Sequence, residues 1–264
     1  MTGRIAALWR HPIKGFTPEA LDAAVLTAGR FFPGDRIWAV EDGPAGFDPA
    51  APKHINKMKF AALVKIPELA RARTLYDEET GDLSVTAEGF PPFHGRLTTE
   101  RGREALALWL AEFLEEQAPE ETYGPLRVLE APDGHGFVNS KNGLVSVLNL
   151  DSVRDLEQAM GRPIDPLRFR ANVWVEGWDA WSEYGLGAGG PLRLGGAQLK
   201  LRDDIVRCLA THVDPRSGMR DMDVMGALQA RNGHIFCGIY AEVTEGGRIA
   251  VGDEATMPQA AVTA

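Results

Sequence analysis

Cys208 has the most chemistry in its surroundings. It stands in the run Ile205-Val206-Arg207-Cys208-Leu209-Ala210-Thr211-His212-Val213-Asp214-Pro215. Arg207 precedes it directly, and a neighbouring cation favours a thiolate, the form that ligates a soft metal. A lone cysteine in an apolar run also packs as a small core residue, and the run by itself favours that reading. Cys237, in Phe236-Cys237-Gly238-Ile239-Tyr240, reads as core. Tyr240 reads as a core residue with a satisfied hydroxyl or as a pocket residue. Two cysteines in 264 residues form no disulfide framework, so both thiols are expected free, in a reducing compartment.

Cations and an amide come next. Lys14 follows His11-Pro12-Ile13, where proline stops a strand, and Arg36 follows Gly34-Asp35. Arg168, Arg170 and Asn172 alternate, which on a strand puts all three on one face. That face suits a phosphate or a carbonyl-rich ligand, or equally water. The histidines show neither i, i+4 pairing nor Cys–His zinc spacing. No glycine-rich phosphate loop, nucleophile elbow or dinucleotide fingerprint is present. A zinc hydrolase or a nicotinamide dehydrogenase therefore has little support. The net charge of −9 argues against a nucleic-acid binder. No apolar run approaches the roughly 20 residues that span a bilayer, and the N-terminus lacks a signal-peptide pattern. A cytoplasmic location is expected.

The elements that must position these residues are mostly strands. Strand-like runs are predicted at 4–10, 36–40, 60–66, 171–175, 192–194, 198–201, 207–213, 236–244 and 248–251, with a hairpin over 73–86 turning at Gly81. Gly195-Gly196 and Glu245-Gly246-Gly247 are also hairpin-turn signals. Leu97 to Glu116 changes to a helical period, with Leu106, Leu108, Trp109, Leu110, Phe113 and Leu114 on the apolar face and Thr98 or Thr99 as cap. A short helix is predicted to open at a Ser152 capping box and to end at Gly161. Residues 257–264 read as a loose tail. Many short strands with glycine-rich turns predict a small closed barrel within a mainly β (α+β) chain with few helices. The polar stretch 117–125 divides it, giving an N-terminal part, 1–116, and a second part, 117–264.

Several runs resemble one family together. Leu8-Trp9-Arg10-His11-Pro12-Ile13-Lys14-Gly15 and Gly34-Asp35-Arg36-Ile37-Trp38-Ala39-Val40 resemble the MOSC N-terminal β-barrel domain. Arg168-Phe169-Arg170-Ala171-Asn172-Val173, the segment around Cys208, and Phe236–Tyr240 with Val251-Gly252-Asp253 resemble the MOSC domain. The runs come in family order, and they are most similar to the mitochondrial amidoxime-reducing component and its bacterial relatives. Gly15, Ala171 and Val206 stand where relatives often carry Ser, Pro and a polar residue or proline.

The resemblance implies a MOSC-type β-barrel preceded by a smaller β-barrel-like domain, with a molybdenum cofactor (Mo-molybdopterin) between the two. It makes Cys208 the catalytic sulfur ligand to molybdenum. It places Lys14, Gly15, Arg36, Asn149, Ser152, Arg170, Asn172, Arg207 and Tyr240 around the cofactor. It implies an oxidoreductase reducing N-hydroxylated compounds with electrons from a separate donor protein. The alternative is a carrier of the cofactor or a sulfur-delivery protein with a persulfide on Cys208.

Overall fold

A computed structural model describes residues 1–121, 123–140, 144–184 and 191–257. The first half supplies β1 (Thr2–Arg10), β2 (Glu19–Leu21), β3 (Ala23–Leu26), β4 (Trp38–Asp42), β5 (Arg73–Tyr76), β6 (Asp82–Ala87), β7 (Phe90–Arg96) and α1 (Glu100–Gln117). The second half supplies β8 (Leu126–Glu130), β9 (Val145–Asn149), α2 (Leu150–Met160), β10 (Val173–Glu176), β11 (Leu192–Leu194), β12 (Ala197–Val206), α3 (Val224–Asn232), β13 (Phe236–Glu245), β14 (Gly247–Ala250) and β15 (Glu254–Thr256). The chain is mostly β, as its sequence predicts.

Seven strands close into a barrel in the order β1-β10-β9-β13-β12-β11-β15, with β15 returning to β1 and β2 added on β1. Closure leaves the ring without an open edge. Its interior is aliphatic, with Ile5, Val145, Val147, Val173, Val175, Leu194, Leu199, Ile239 and Val243 buried together. β9 and β10 run parallel, which requires a crossover, and α2 lies within it.

A second core gathers under α1. Leu106, Trp109, Leu110, Phe113 and Leu114 recur at the helical period and pack with Ile13, Trp38, Val40, Leu83 and Val85. Burying each such side chain contributes about 1.5–3 kcal/mol. Thr99 caps the helix, its hydroxyl accepting from the Gly102 amide at 3.1 Å. Leu108, assigned to the apolar face, points to solvent. β4 pairs with β8, and β5, β6 and β7 form a meander. Four ladders, β1 with β10, β1 with β15, β3 with β14 and β4 with β8, join residues on opposite sides of the 116/117 division.

Several predicted elements take another form. Phe60–Ile66 makes only an isolated bridge at Phe60, because the Lys65 and Ile66 amides turn back onto the Ala62 carbonyl. Residues 209–212 coil into a short 3₁₀ turn instead of a strand. The glycines at 246–247 make no hairpin, since β14 pairs with β3 rather than β13. Helix α2 is capped by Asn149, three residues before Ser152, and Gly161 ends it in the left-handed conformation. Met257 is buried, and the rest of the predicted tail lies outside the described residues. Among the described residues no helix is long and apolar enough to cross a membrane.

Candidate functional site

A cleft of about 670 Å³ opens between the barrel and the N-terminal loops. Eight of the ten residues that the resemblance assigns to the site line it, Lys14, Gly15, Arg36, Arg170, Asn172, Arg207, Cys208 and Tyr240, and so does Arg168. They come from segments as far apart in sequence as 14 and 240, brought together by barrel closure.

One wall is cationic. Gly15 has φ +90°, and a Cβ there would lie 2.5 Å from the Ala61 carbonyl oxygen, so this turn demands glycine. The adjacent Lys14 is buried. Its Nζ donates to the Phe137 carbonyl at 2.7 Å and to Asn139 Oδ1 at 3.0 Å. Burial pushes the Lys14 amine down to about 7, and Arg36, Arg170 and Lys57 press the same way against Asp35.

Arg36 and Arg170 both sit in the left-handed region, at φ 52° and 51°, where a non-glycine residue costs about 1–3 kcal/mol. Arg36 is therefore a turn residue, not the start of a strand. Its amide donates to the His11 carbonyl at 2.6 Å, and its guanidinium bonds Asp35 and the Arg170 carbonyl. Arg170 Nη1 donates to the Phe16 carbonyl at 2.7 Å, while its Nη2 is sealed from solvent without a partner. Burial lowers Arg170 to about 9, with Arg36 adding to the shift and Asp35 and Cys208 opposing it.

Asp35 is the buried carboxylate among these cations. Burial works to raise its pKa, but Arg36 and bonds from His11 hold it well below the usual carboxylate range. His11 gives Asp35 its backbone amide at 2.8 Å. Burial drives the His11 ring down to about 3, so it stays neutral.

Arg168 does not share a strand face with Arg170 and Asn172. Asp165 and Pro166 open a 3₁₀ turn through Phe169 that breaks the alternation. The Arg168 guanidinium donates to the His212 carbonyl at 3.0 Å and to Asp221 at 2.7 Å, pinning the cysteine segment, and Arg168 also lines the cleft. Asn172 lines the cleft, but its amide is committed. Its Oδ1 accepts from the Ser146 hydroxyl at 2.7 Å, and its Nδ2 donates to the Trp9 carbonyl at 3.2 Å.

Cys208 follows β12 in an extended conformation and leads into the turn Leu209–His212. The Thr211 amide and hydroxyl both donate to its carbonyl at 2.9 Å. Its side chain is half-buried on the cleft, whereas Cys237 is fully buried. Burial pushes the Cys237 thiol up to about 12, marking a core residue. Arg207 turns its guanidinium to the Phe169 carbonyl at 2.7 Å and to the Cys237 carbonyl, and lies over the Phe169 ring.

Asn149 and Ser152 are not part of the cleft lining. They hold Glu183: Asn149 Nδ2 donates to it at 2.9 Å, and the Ser152 hydroxyl donates at 2.8 Å. Burial raises the Glu183 pKa against those bonds. Sequence reading did not assign Asn139, Lys57, Ser146, Asp203 and Asp204, which also line the cleft. The doubled acid Asp203-Asp204 beside an apolar strand pattern was the available signal.

Two family models cover the chain in succession. The MOSC N-terminal beta barrel domain matches residues 2–122, and the MOSC domain matches residues 135–256. Among solved structures, the YuaD protein from Bacillus subtilis is 15% identical, with 97% of this chain and 94% of that one covered, at a TM-score of 0.44. YiiM from Geobacillus stearothermophilus is 18% identical, with 45% of this chain and 56% of that one covered, at a TM-score of 0.34. No curated protein matches the chain.

Proposed function

The chain belongs to the MOSC domain proteins, a family associated with the molybdenum cofactor, and from that premise we propose that it is an oxidoreductase holding this cofactor through Cys208 and reducing N-hydroxylated compounds. The observation that carries the proposal is a half-buried thiol on the same cleft as Lys14, Arg36 and Arg170, with Asp35 as their buried counter-charge.

The residues fit such a group. An unsatisfied buried donor costs about 1–3 kcal/mol, and Arg170 Nη2 is such a donor on the cleft wall. A phosphate or pterin oxygen would satisfy it and would relieve the repulsion among the three cations. Among the described residues no group of three or more His, Cys, Asp or Glu could cage a metal. A single thiolate therefore suits a metal that brings other sulfur donors with it, as the dithiolene of a pterin does. When bound, the cofactor supplies a two-electron centre able to remove oxygen from a substrate.

The net reaction would take R–NHOH, two electrons and two protons to R–NH₂ and water, with the electrons drawn from a separate donor protein. Lys14 Nζ would hold an anionic group of the cofactor, aimed by its bonds to Phe137 and Asn139. Arg36, fixed by Asp35, and Arg170, fixed by the Phe16 carbonyl, would hold further oxygens. Arg168 and Thr211 would keep the Cys208 segment in place. Gly15 would let the Lys14 turn lie against Ala61. Asn172 would act by fixing Ser146.

The test is turnover of an amidoxime to its amidine by the metal-loaded protein with a chemical reductant. Cys208→Ser is expected to abolish it. Bound molybdenum in the native protein with no turnover under any donor would reject the enzymatic claim.

A further inference from the structure

One stretch of the cleft carries the opposite charge. Asp203 and Asp204 lie on β12, five and four residues before Cys208, and both line the cleft. Neighbours on a regular strand point to opposite faces. Here the register with β13 shifts between Leu201 and Asp203 and again between Asp204 and Val206, and bulges of this kind re-aim side chains. Both carboxylates thereby reach one cavity.

Their surroundings suit a cation with an apolar body. Tyr240 sits directly across the ladder from Asp203 and lines the same cleft. A tyrosine ring beside a carboxylate offers a cation two attractions at once. Val206, also on the cleft, is 62% exposed, a large share for a branched aliphatic side chain. Among the described residues neither carboxylate accepts a hydrogen bond or closes an ion pair. Burial raises the Asp204 pKa, and Asp203 adds to that rise while His234 opposes it. Neither acid is among the charges acting most strongly on Lys14 or Arg170. The sealed, unpartnered Arg170 Nη2 belongs to the same cleft lining and marks a place there for an anion.

Resting on the function proposed above, we infer that Asp203, Asp204 and Tyr240 select N-hydroxylated substrates carrying a cationic group remote from the reacting N–O bond. Asp204 and Asp203 stand four and five residues of chain before Cys208, at most about 14 to 17 Å between Cα atoms, which sets the scale of the separation between that group and the reacting bond. Compounds with a negative tail meet the two carboxylates and bind worse.

The experiment uses the metal-loaded protein and three amidoximes of equal length, ending in an ammonium, a hydroxyl or a carboxylate. Calorimetry gives their affinities without requiring turnover. The ammonium compound is expected to bind about fivefold to tenfold tighter than the hydroxyl one, as two partly solvated charge pairs allow, with the carboxylate compound weakest. Asp203→Asn with Asp204→Asn should bring the ammonium and hydroxyl compounds within about twofold, with molybdenum per chain unchanged. Raising salt should shrink the native preference in the same direction, a reading that needs no variant. Equal binding of all three compounds, a preference that survives the double substitution, or one indifferent to salt would overturn the inference. Loss of molybdenum from the native protein, by contrast, would count against the proposed cofactor and not against the acidic end of the cleft.

Discussion

Around Glu183 the donors are committed: Asn149 and Ser152 give their hydrogens to the carboxylate, and Ser152 also accepts from the Trp181 amide. Around Lys14 the balance fails. Lys14, Arg36, Lys57 and Arg170 line the cleft over one buried carboxylate, Asp35, and one guanidinium nitrogen is sealed without a partner. Both are buried polar knots that the sequence places at the same cofactor. The first is closed on itself and supports the fold; the second leaves donors unspent, which is the condition for a ligand. Composition does not separate them, since Asn and Ser serve either purpose. The hydrogen-bond ledger does.

Substitutions can break that contrast. Asn149→Ala removes both the cap of α2 and a donor to Glu183. It is expected to cost about 2–4 kcal/mol in urea unfolding while leaving molybdenum per folded chain unchanged. A loss of metal without a loss of stability would move Asn149 into the site. Lys14→Met should behave in the opposite way. Stability of the metal-free protein should stay within about 1 kcal/mol, because the lost bonds are offset by relief of a buried charge. Molybdenum content should fall at least about tenfold, the worth of one charge-assisted contact. Thr211→Val removes the hydroxyl bond to the Cys208 carbonyl and is expected to cost about 1 kcal/mol, read in the same unfolding experiment.

Titration sharpens the contrast further. The Lys14 amine is held down to about 7 in the folded protein against an ordinary value of 10.5. A phosphate placed against it favours the charged form and so raises its pKa. Binding of inorganic sulfate, which stays fully ionised across this range, to the metal-free protein should therefore take up a fraction of a proton, up to about one, between those two values. Affinity should fall as pH rises through that window. Calorimetry in two buffers of different ionisation enthalpy measures the proton count, and a count of zero at pH 8 would show that Lys14 stays clear of the anion.

What was legible in the sequence follows the same physical lines. The helix over 100–117 showed itself because its apolar residues recur at the helical period, and the hairpin over 73–87 because Gly81 supplies the turn. The cleft residues came together as one set only through family resemblance, since singly each also has an ordinary core or surface explanation. Two features were not legible. The strand-like alternation of Arg168, Arg170 and Asn172 ignored the turn that Asp165 and Pro166 open; all three residues line the cleft, but from a turn and not from one strand face. Arg207 was read as the partner of Cys208 because it is adjacent in sequence. In space its guanidinium is spent on the backbone carbonyls of Phe169 and Cys237. Adjacency along an extended chain separates side chains more often than it joins them.

The central claim rests on the Cys208 sulfur standing open to a metal on a cation-lined cleft. Element-resolved metal analysis of native protein and Cys208→Ser, purified in parallel from a host that makes the cofactor, tests it most directly. The expected result is near-stoichiometric molybdenum in the native protein and its loss, by about tenfold or more, in the variant with folding intact. Equal molybdenum in both, or none in either, would contradict it.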